Sequence, residues 1–155
     1  MSALKVVLLA ISVATRRRDE AGKVLARIRH TYDIARSQMG QLESYAADTE
    51  SKWAVSAQVV AAAESVRNYY QFMGRLQHAT RLQGRVVADL HTELVGAARV
   101  LLEAEIRIAS LDRLLEGKQS VMRKQQAARE QKQQDEFAAL QHRRGRGELG
   151  TLGVS

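Results

Sequence analysis

The sequence predicts an all-α protein: a long two-helix antiparallel coiled coil, or helical hairpin, with a polar C-terminal helical overhang and a disordered tail. Three observations predict it. The 155 residues contain no proline, so nothing removes a helix donor or clashes with a preceding turn. Apolar residues recur at alternating steps of three and four over most of the chain, the 3.5-residue period that holds one stripe against a partner helix as both supercoil. Of the ten glycines, four (Gly145, Gly147, Gly150, Gly153) crowd into the last eleven residues, leaving few of the turn-forming residues that a sheet fold of this length recruits.

The first element follows from its seam. Leu4, Val7, Ile11, Ala14, Arg18, Ala21, Leu25, Ile28, Tyr32, Ala35, Met39, Leu42, Ala46, Thr49, Trp53, Ser56, Val60 and Ala63 keep the step without a skip, and only Arg18, Thr49 and Ser56 break the apolar rule. This predicts helix one over about residues 3–63. About sixty helical residues would run ~90 Å, too long to bury in one globule, so a rod is expected. The apolar run at residues 4–14 is short and is followed by Arg16, Arg17 and Arg18, on the wrong side for a secretory signal. It reads as the opening turns of an amphipathic helix. No stretch approaches the ~20 apolar residues of a membrane span, and the chain is read as soluble and cytosolic.

Residues 64–68 are the least periodic, so the turn is placed at about 63–70. Helix two then runs over about 70–142, with a second seam at Val87, Leu90, Leu94, Ala97, Leu101, Ala104, Ile108, Leu111, Leu115, Lys118 and Met122. Backward, this register continues weakly through Met73 and Leu76. After Met122 glutamine and charge take over, so residues 123–142 are expected to project as a polar helix with no stripe to bury. Residues 1–142 form one hairpin, and 143–155 read as a disordered tail. Alanines at many seam positions and glycines within both helices predict a thin core and a soft hairpin.

Enzyme chemistry finds no residues to carry it. Without cysteine there is no disulfide, thiolate metal site or thiol nucleophile. His30, His78, His91 and His142 show no metal-ligand spacing, no phosphate-binding glycine loop occurs, and Asp19-Glu20 and Asp135-Glu136 diverge on a helix as sequence neighbours. The reading is a non-enzyme with no cofactor, metal or small-molecule substrate.

Charge is more telling. The formal +7 comes from 24 basic and 17 acidic residues, and it is unevenly placed. Net charge is +5 over residues 1–36, −3 over 37–64, +4 over 65–88 and −3 over 89–116. Arg16, Arg17 and Arg18 mark one basic end and Arg67, Arg75, Arg81 and Arg85 the other, around an acidic shaft. These ends suit docking to acidic partners. Five of the seven aromatics (Tyr45, Trp53, Tyr69, Tyr70, Phe72) lie near the turn. Trp53 is a seam residue, whereas Tyr45 and Phe72 each sit one residue before a seam position. Gln38, Leu42, Tyr45 and Thr49, and likewise Phe72, Leu76, Ala79 and Gln83, form two stripes beside the seam. An apolar-aromatic groove flanked by arginine is the usual anchor of a protein interface.

Certain residues resemble the bacterial flagellar export protein FliJ family. They are Leu42-Glu43-Ser44-Tyr45 through Lys52-Trp53, Arg67-Asn68-Tyr69-Tyr70-Gln71-Phe72-Met73 with Leu76, and Arg129-Glu130-Gln131-Lys132-Gln133-Gln134-Asp135-Glu136-Phe137. The start, with Leu4, Leu8, Ile11, Ala14, Asp19 and Ala21, is similar too. The resemblance covers residues 1–142. It implies a coiled coil similar to the central stalk of rotary ATP synthases, acting in the cytoplasm and peripherally at the inner face of the membrane at the flagellar base. The partners it implies are the export ATPase hexamer, whose ring formation the family promotes, the cytoplasmic region of the membrane export gate FlhA, and export chaperones. It assigns gate binding to Gln38, Leu42, Tyr45, Phe72, Leu76 and Ala79. At the rim the chain departs from the family, with Thr49 where an aromatic is frequent and Gln83 where a histidine is.

The leading functional reading is a coupling rod of flagellar type III export, with the turn-end groove on the gate and the terminal half against the ATPase ring. The alternatives are the equivalent stalk of a virulence-type secretion system, a basic coiled coil on nucleic acid, and a structural dimer paired between chains. The acid-balanced shaft argues against nucleic acid.

Overall fold

A computed structural model describes residues 2–56 and 62–152, with side chains through residue 147. Two helices account for it: α1, Ala3–Ser56, and α2, Ala63–Leu152, which pack against each other. Ser2 caps α1, its hydroxyl accepting from the Lys5 backbone N–H at 3.3 Å, while its carbonyl accepts from Val6 at 3.2 Å. That satisfies donors which a helix start leaves free. α2 begins with the Val66 N–H donating to the Ala62 carbonyl at 3.2 Å. Glu64 in its first turn places a carboxylate at the positive end of the helix dipole.

This start corrects the expected turn. Residues 63–70 are helical and Ala63 belongs to α2, while α1 is described as far as Ser56. Val60, expected in the first seam, falls outside the described residues. The cause of the misreading is plain in the register. Val66, Tyr69, Met73, Leu76, Thr80, Gln83 and Val87 continue the second seam backward in unbroken steps, and every one is buried or half-buried. Thr80 and Gln83 are polar and hide the period. Their polar atoms are satisfied: the Thr80 hydroxyl donates to the Leu76 carbonyl of its own helix at 2.8 Å, and Gln83 bonds across to α1.

At the other end, α2 passes the expected boundary at residue 142 and stays helical through Leu152. No glycine among the described residues takes a positive φ, so Gly145 and Gly147 do not act as helix stops.

The chain divides into two compact units. One comprises Ala14–Ile106, in which the arms of α1 and α2 run antiparallel. Trp53 meets Tyr69, Tyr45 meets Phe72, and Tyr32 meets His91, so residue numbers fall on one arm as they rise on the other. Its buried side chains are Ala14, Ala21, Ala35, Met73 and Leu76. The first seam is read correctly here: each position from Ala14 to Trp53 is buried or half-buried. Among the described residues no side chain is fully enclosed, since two helices can shield only one stripe each. Apolar burial, and with it the stabilisation at ~25 cal/mol per Å², is correspondingly limited.

The other unit comprises Met1–Val13 and Arg107–Ser155. Val7 and Leu111 are its buried residues among those described. The stretch from 121 to 144 is exposed at every position, as its lack of an apolar stripe predicts. It holds helix through local pairs, Gln126 donating to Glu130 at 3.2 Å and Gln131 to Asp135 at 3.1 Å, the i, i+4 contacts that support a solvated helix by a few tenths of a kcal/mol each.

Candidate partner-binding surface

The surface is built from the antiparallel seam of Ala14–Ile106. A residue just before the seam position that ends a four-residue step lies on one flank, as Tyr45 does before Ala46 and Phe72 before Met73. Antiparallel pairing brings that flank of α1 beside the same flank of α2. Tyr45 and Phe72 therefore meet edge to face, with ring centroids 5.8 Å apart and planes at 84°, the arrangement that aromatic quadrupoles favour. One turn further, Gln83 donates its amide to the Ala35 carbonyl at 2.9 Å and to the Gln38 side-chain oxygen at 3.2 Å. The seam backbone is thereby tied to the flank.

The six residues assigned to gate binding divide by depth. Gln38 and Tyr45 are exposed, Phe72 and Ala79 are half-buried on the flank, and Leu42 is half-buried in the seam. Leu76 is core, 8% exposed, and lies beneath the surface rather than on it. At the rim, Thr49 spends its hydroxyl on the Tyr45 carbonyl of its own helix at 2.8 Å. Gln83 is a half-buried seam residue engaged with α1.

Two aromatics gain a role that spacing alone left open. Trp53 and Tyr69 stack at 4.4 Å with planes 7° apart, and Tyr70 meets Tyr69 edge to face at 5.4 Å. The shelter of this stack, with the Glu50 carboxylate and then Tyr70 nearby, holds the Tyr69 phenol above its ordinary value, because each disfavours the phenolate. The signal that would have found the stack is the seam register at Tyr69.

The basic residues also divide. Arg16 and Arg17 are exposed. Arg18 occupies a seam position and folds its guanidinium onto the neighbouring Asp19, at 3.0 and 3.2 Å, so its charge is engaged. Arg67, Arg75, Arg81 and Arg85 are all exposed on the outer face of α2, away from the seam. None of the four makes an ion pair among the described residues. No acid occurs from residue 65 to 88.

In the unit containing the chain's start, an open apolar groove of about 640 Å³ lies between the beginning of α1 and α2, lined among others by Leu4, Leu114, Gly117, Val121 and Met122. Val6, Leu8, Leu9 and Val13, further along the start of α1, are exposed. The visible signal was the apolar run at residues 4–14. Among the described residues no group of three or more His, Asp or Glu could hold a metal ion, and no helix is long and apolar enough to cross a membrane.

Comparison with known proteins agrees with the resemblance. The model of the family described as the flagellar FliJ protein matches residues 3–147. Neither curated proteins nor solved structures yield a match.

Proposed function

The chain belongs to the flagellar FliJ protein family and is a component of flagellar protein export; on that premise we propose that it is a coiled-coil stalk linking the export ATPase ring to the membrane export gate and to export chaperones. In this reading it works by binding alone and takes no cofactor. It acts in the cytoplasm, held peripherally at the inner face of the membrane at the flagellar base.

The observation that carries the gate contact is the Tyr45–Phe72 pair. A two-helix seam leaves its flanks open, and here one flank presents an edge-to-face aromatic pair with Tyr45 55% exposed. Aromatic side chains half out of water supply large contact area for few frozen rotors, which is why they recur at binding hot spots. Leu42 and Leu76 are half-buried and buried in the adjoining seam, and the Gln38–Gln83 bond ties the two helices together nearby. Contact with the ATPase ring suits the basic stretch around Arg16 and Arg17, and chaperone contact suits the exposed Arg67, Arg75, Arg81 and Arg85 of α2. Both rest on charge and family.

The test is calorimetric titration of the full chain with the cytoplasmic region of FlhA. Tyr45→Ala and Phe72→Ala are each expected to weaken binding by at least tenfold, the size of a 1.4 kcal/mol loss, with helicity at 222 nm unchanged. Wild-type affinity in both variants would reject this surface.

A further inference from the structure

The arginines between residues 65 and 88 are not scattered round α2. At ~100° per residue, Arg67, Gln71, Gly74, His78, Arg81 and Arg85 fall within about 80° of one another, and this file runs ~27 Å at 1.5 Å per residue. All six are exposed. Arg75 and Leu82 stand on one shoulder of the file and Tyr70 on the other, with Leu82 47% and Tyr70 67% exposed. Glu64 and Asp89 bound the file in sequence, and no acid lies between them. Across the seam, the acids of α1 residues 35–53 are Glu43, Asp48 and Glu50. Glu43 and Glu50 line one hollow together with Arg81. They balance part of that charge, so Arg67, Arg75 and Arg85 dominate the field on the outer side.

At the middle of the file the surface dips. Gly74 has no side chain, and nothing lies within 4 Å of where a Cβ would stand. Gln71, Arg75 and His78 surround it at steps of three and four and line an open hollow of about 460 Å³. Amide, guanidinium and imidazole groups all carry N–H donors, so the hollow offers donors to an anion.

We propose that this outer side of α2 docks on an anionic phospholipid bilayer, with Arg67, Arg75 and Arg85 paired to headgroup phosphates and one headgroup seated in the hollow at Gly74. The inference rests on the reading that the chain is held at the inner face of the membrane, and it names the surface that holds it. It gives to lipid four arginines that charge alone also fits to a chaperone.

Shape and chemistry choose the occupant. A straight file of cations on one helix meets a plane of charge at a single depth. The cytoplasmic leaflet is such a plane, negative at its surface, and it attracts basic residues clustered on one helix face. A protein partner is anchored by an apolar, desolvated centre, whereas glutamine, glycine and histidine form the centre here. Single-stranded nucleic acid is held by rings on which its bases stack. The ring beside the file, Tyr70, is instead turned edge to face onto Tyr69 at 5.4 Å. Leu82 and Tyr70 suit the headgroup layer, which takes up apolar and amphipathic side chains beside basic ones.

The test is flotation of the full chain with vesicles of phosphatidylcholine, alone or with about one third phosphatidylglycerol. Binding to the anionic vesicles should be at least tenfold tighter than to the neutral ones. It should fall at least tenfold when salt shortens the screening length from ~10 Å to ~3 Å. Each arginine near the leaflet adds about fivefold, so Arg67→Gln with Arg85→Gln should weaken binding tenfold or more at unchanged helicity. The same charge removed from the overhang, by Arg123→Gln with Lys124→Gln, should change it less than about twofold. Equal losses in the two variants would assign binding to net charge and overturn the proposal, as would equal binding to neutral vesicles. Polyglutamate or a DNA duplex bound more tightly than the anionic vesicles, and lost with Arg67 and Arg85, would hand the face to an acidic protein or to nucleic acid and overturn it as well. Titration of the unaltered chain with the FlhA cytoplasmic region separates the two readings. Gate binding without vesicle binding overturns the lipid surface alone, and vesicle binding without gate binding overturns the stalk reading alone.

Discussion

Replacing Leu76 by alanine separates the core from the surface at the candidate site. Leu76 is 8% exposed at a seam position, whereas Tyr45, on the flank, is 55% exposed. The leucine side chain exceeds alanine by three carbons, each worth ~0.8 kcal/mol when buried. With nearly all of that surface covered, Leu76→Ala should cost about 2 kcal/mol. A two-helix seam has room to close over the gap, which keeps the cavity contribution at the low end for such changes. Tyr45→Ala loses the edge-to-face contact with Phe72 and part of an already half-wet ring, so it should cost about 1 kcal/mol or less. Urea unfolding of each variant, followed at 222 nm, measures both. Because Leu76→Ala lowers stability, any loss of gate binding in that variant reports the fold as well as the contact, and Tyr45→Ala and Phe72→Ala are the better binding probes. A cost under 1 kcal/mol for Leu76→Ala, or equal costs for the two residues, would mean that the assigned seam register is wrong.

Alanine at Gly22, Gly40 or Gly96 meets nothing within 4 Å of its added carbon, so each substitution should raise stability by roughly 0.5–1 kcal/mol through helix propensity, read as a higher urea midpoint. Gly84→Ala should gain less, since its new carbon would lie 3.6 Å from the Met39 terminal methyl, ordinary contact that still limits how that side chain moves. Tyr69 should be among the last tyrosines to ionise in an ultraviolet titration, since burial, then Glu50, then Tyr70 raise its pKa above 10.0. The folded state then holds its proton more tightly than the unfolded one, so the stability tied to Tyr69 is complete below pH 10 and is lost as pH climbs through the folded value. Tyr69→Phe should flatten the decline in urea midpoint above pH 10; an unchanged decline would place the cause elsewhere.

The legibility of this chain varied with the contrast between seam and flank. In α1 the seam alternates with charged and small polar residues, and its period was read to the residue from Leu4 to Trp53. In α2 the same period was broken to the eye at Thr80 and Gln83, because hydropathy ranks a satisfied glutamine with a solvated one. Only the cross-helix bond to Ala35 tells them apart. The turn was misplaced for the same reason: once Val66 and Tyr69 are lost from the seam, residues 63–70 look like linker. Leu76 was legible as apolar and beside an aromatic, yet whether it lay on the surface or under it depended on which neighbour the other helix brought to it.

Composition and period by themselves determined two long helices among the described residues, a polar stretch after residue 122 and charge gathered in separate segments. Those properties are local, since each follows from residues a few positions apart on one helix. Which side chains share a flank was decided by the tertiary structure. Antiparallel pairing sets Tyr45 against Phe72 and Gln38 beside Gln83, and it sends Arg29, Arg36, Glu43 and Glu50 to the other side. The physical reason is that a flank belongs to neither helix. It comes into being only when two stripes meet in register, and residues distant in sequence then share one edge.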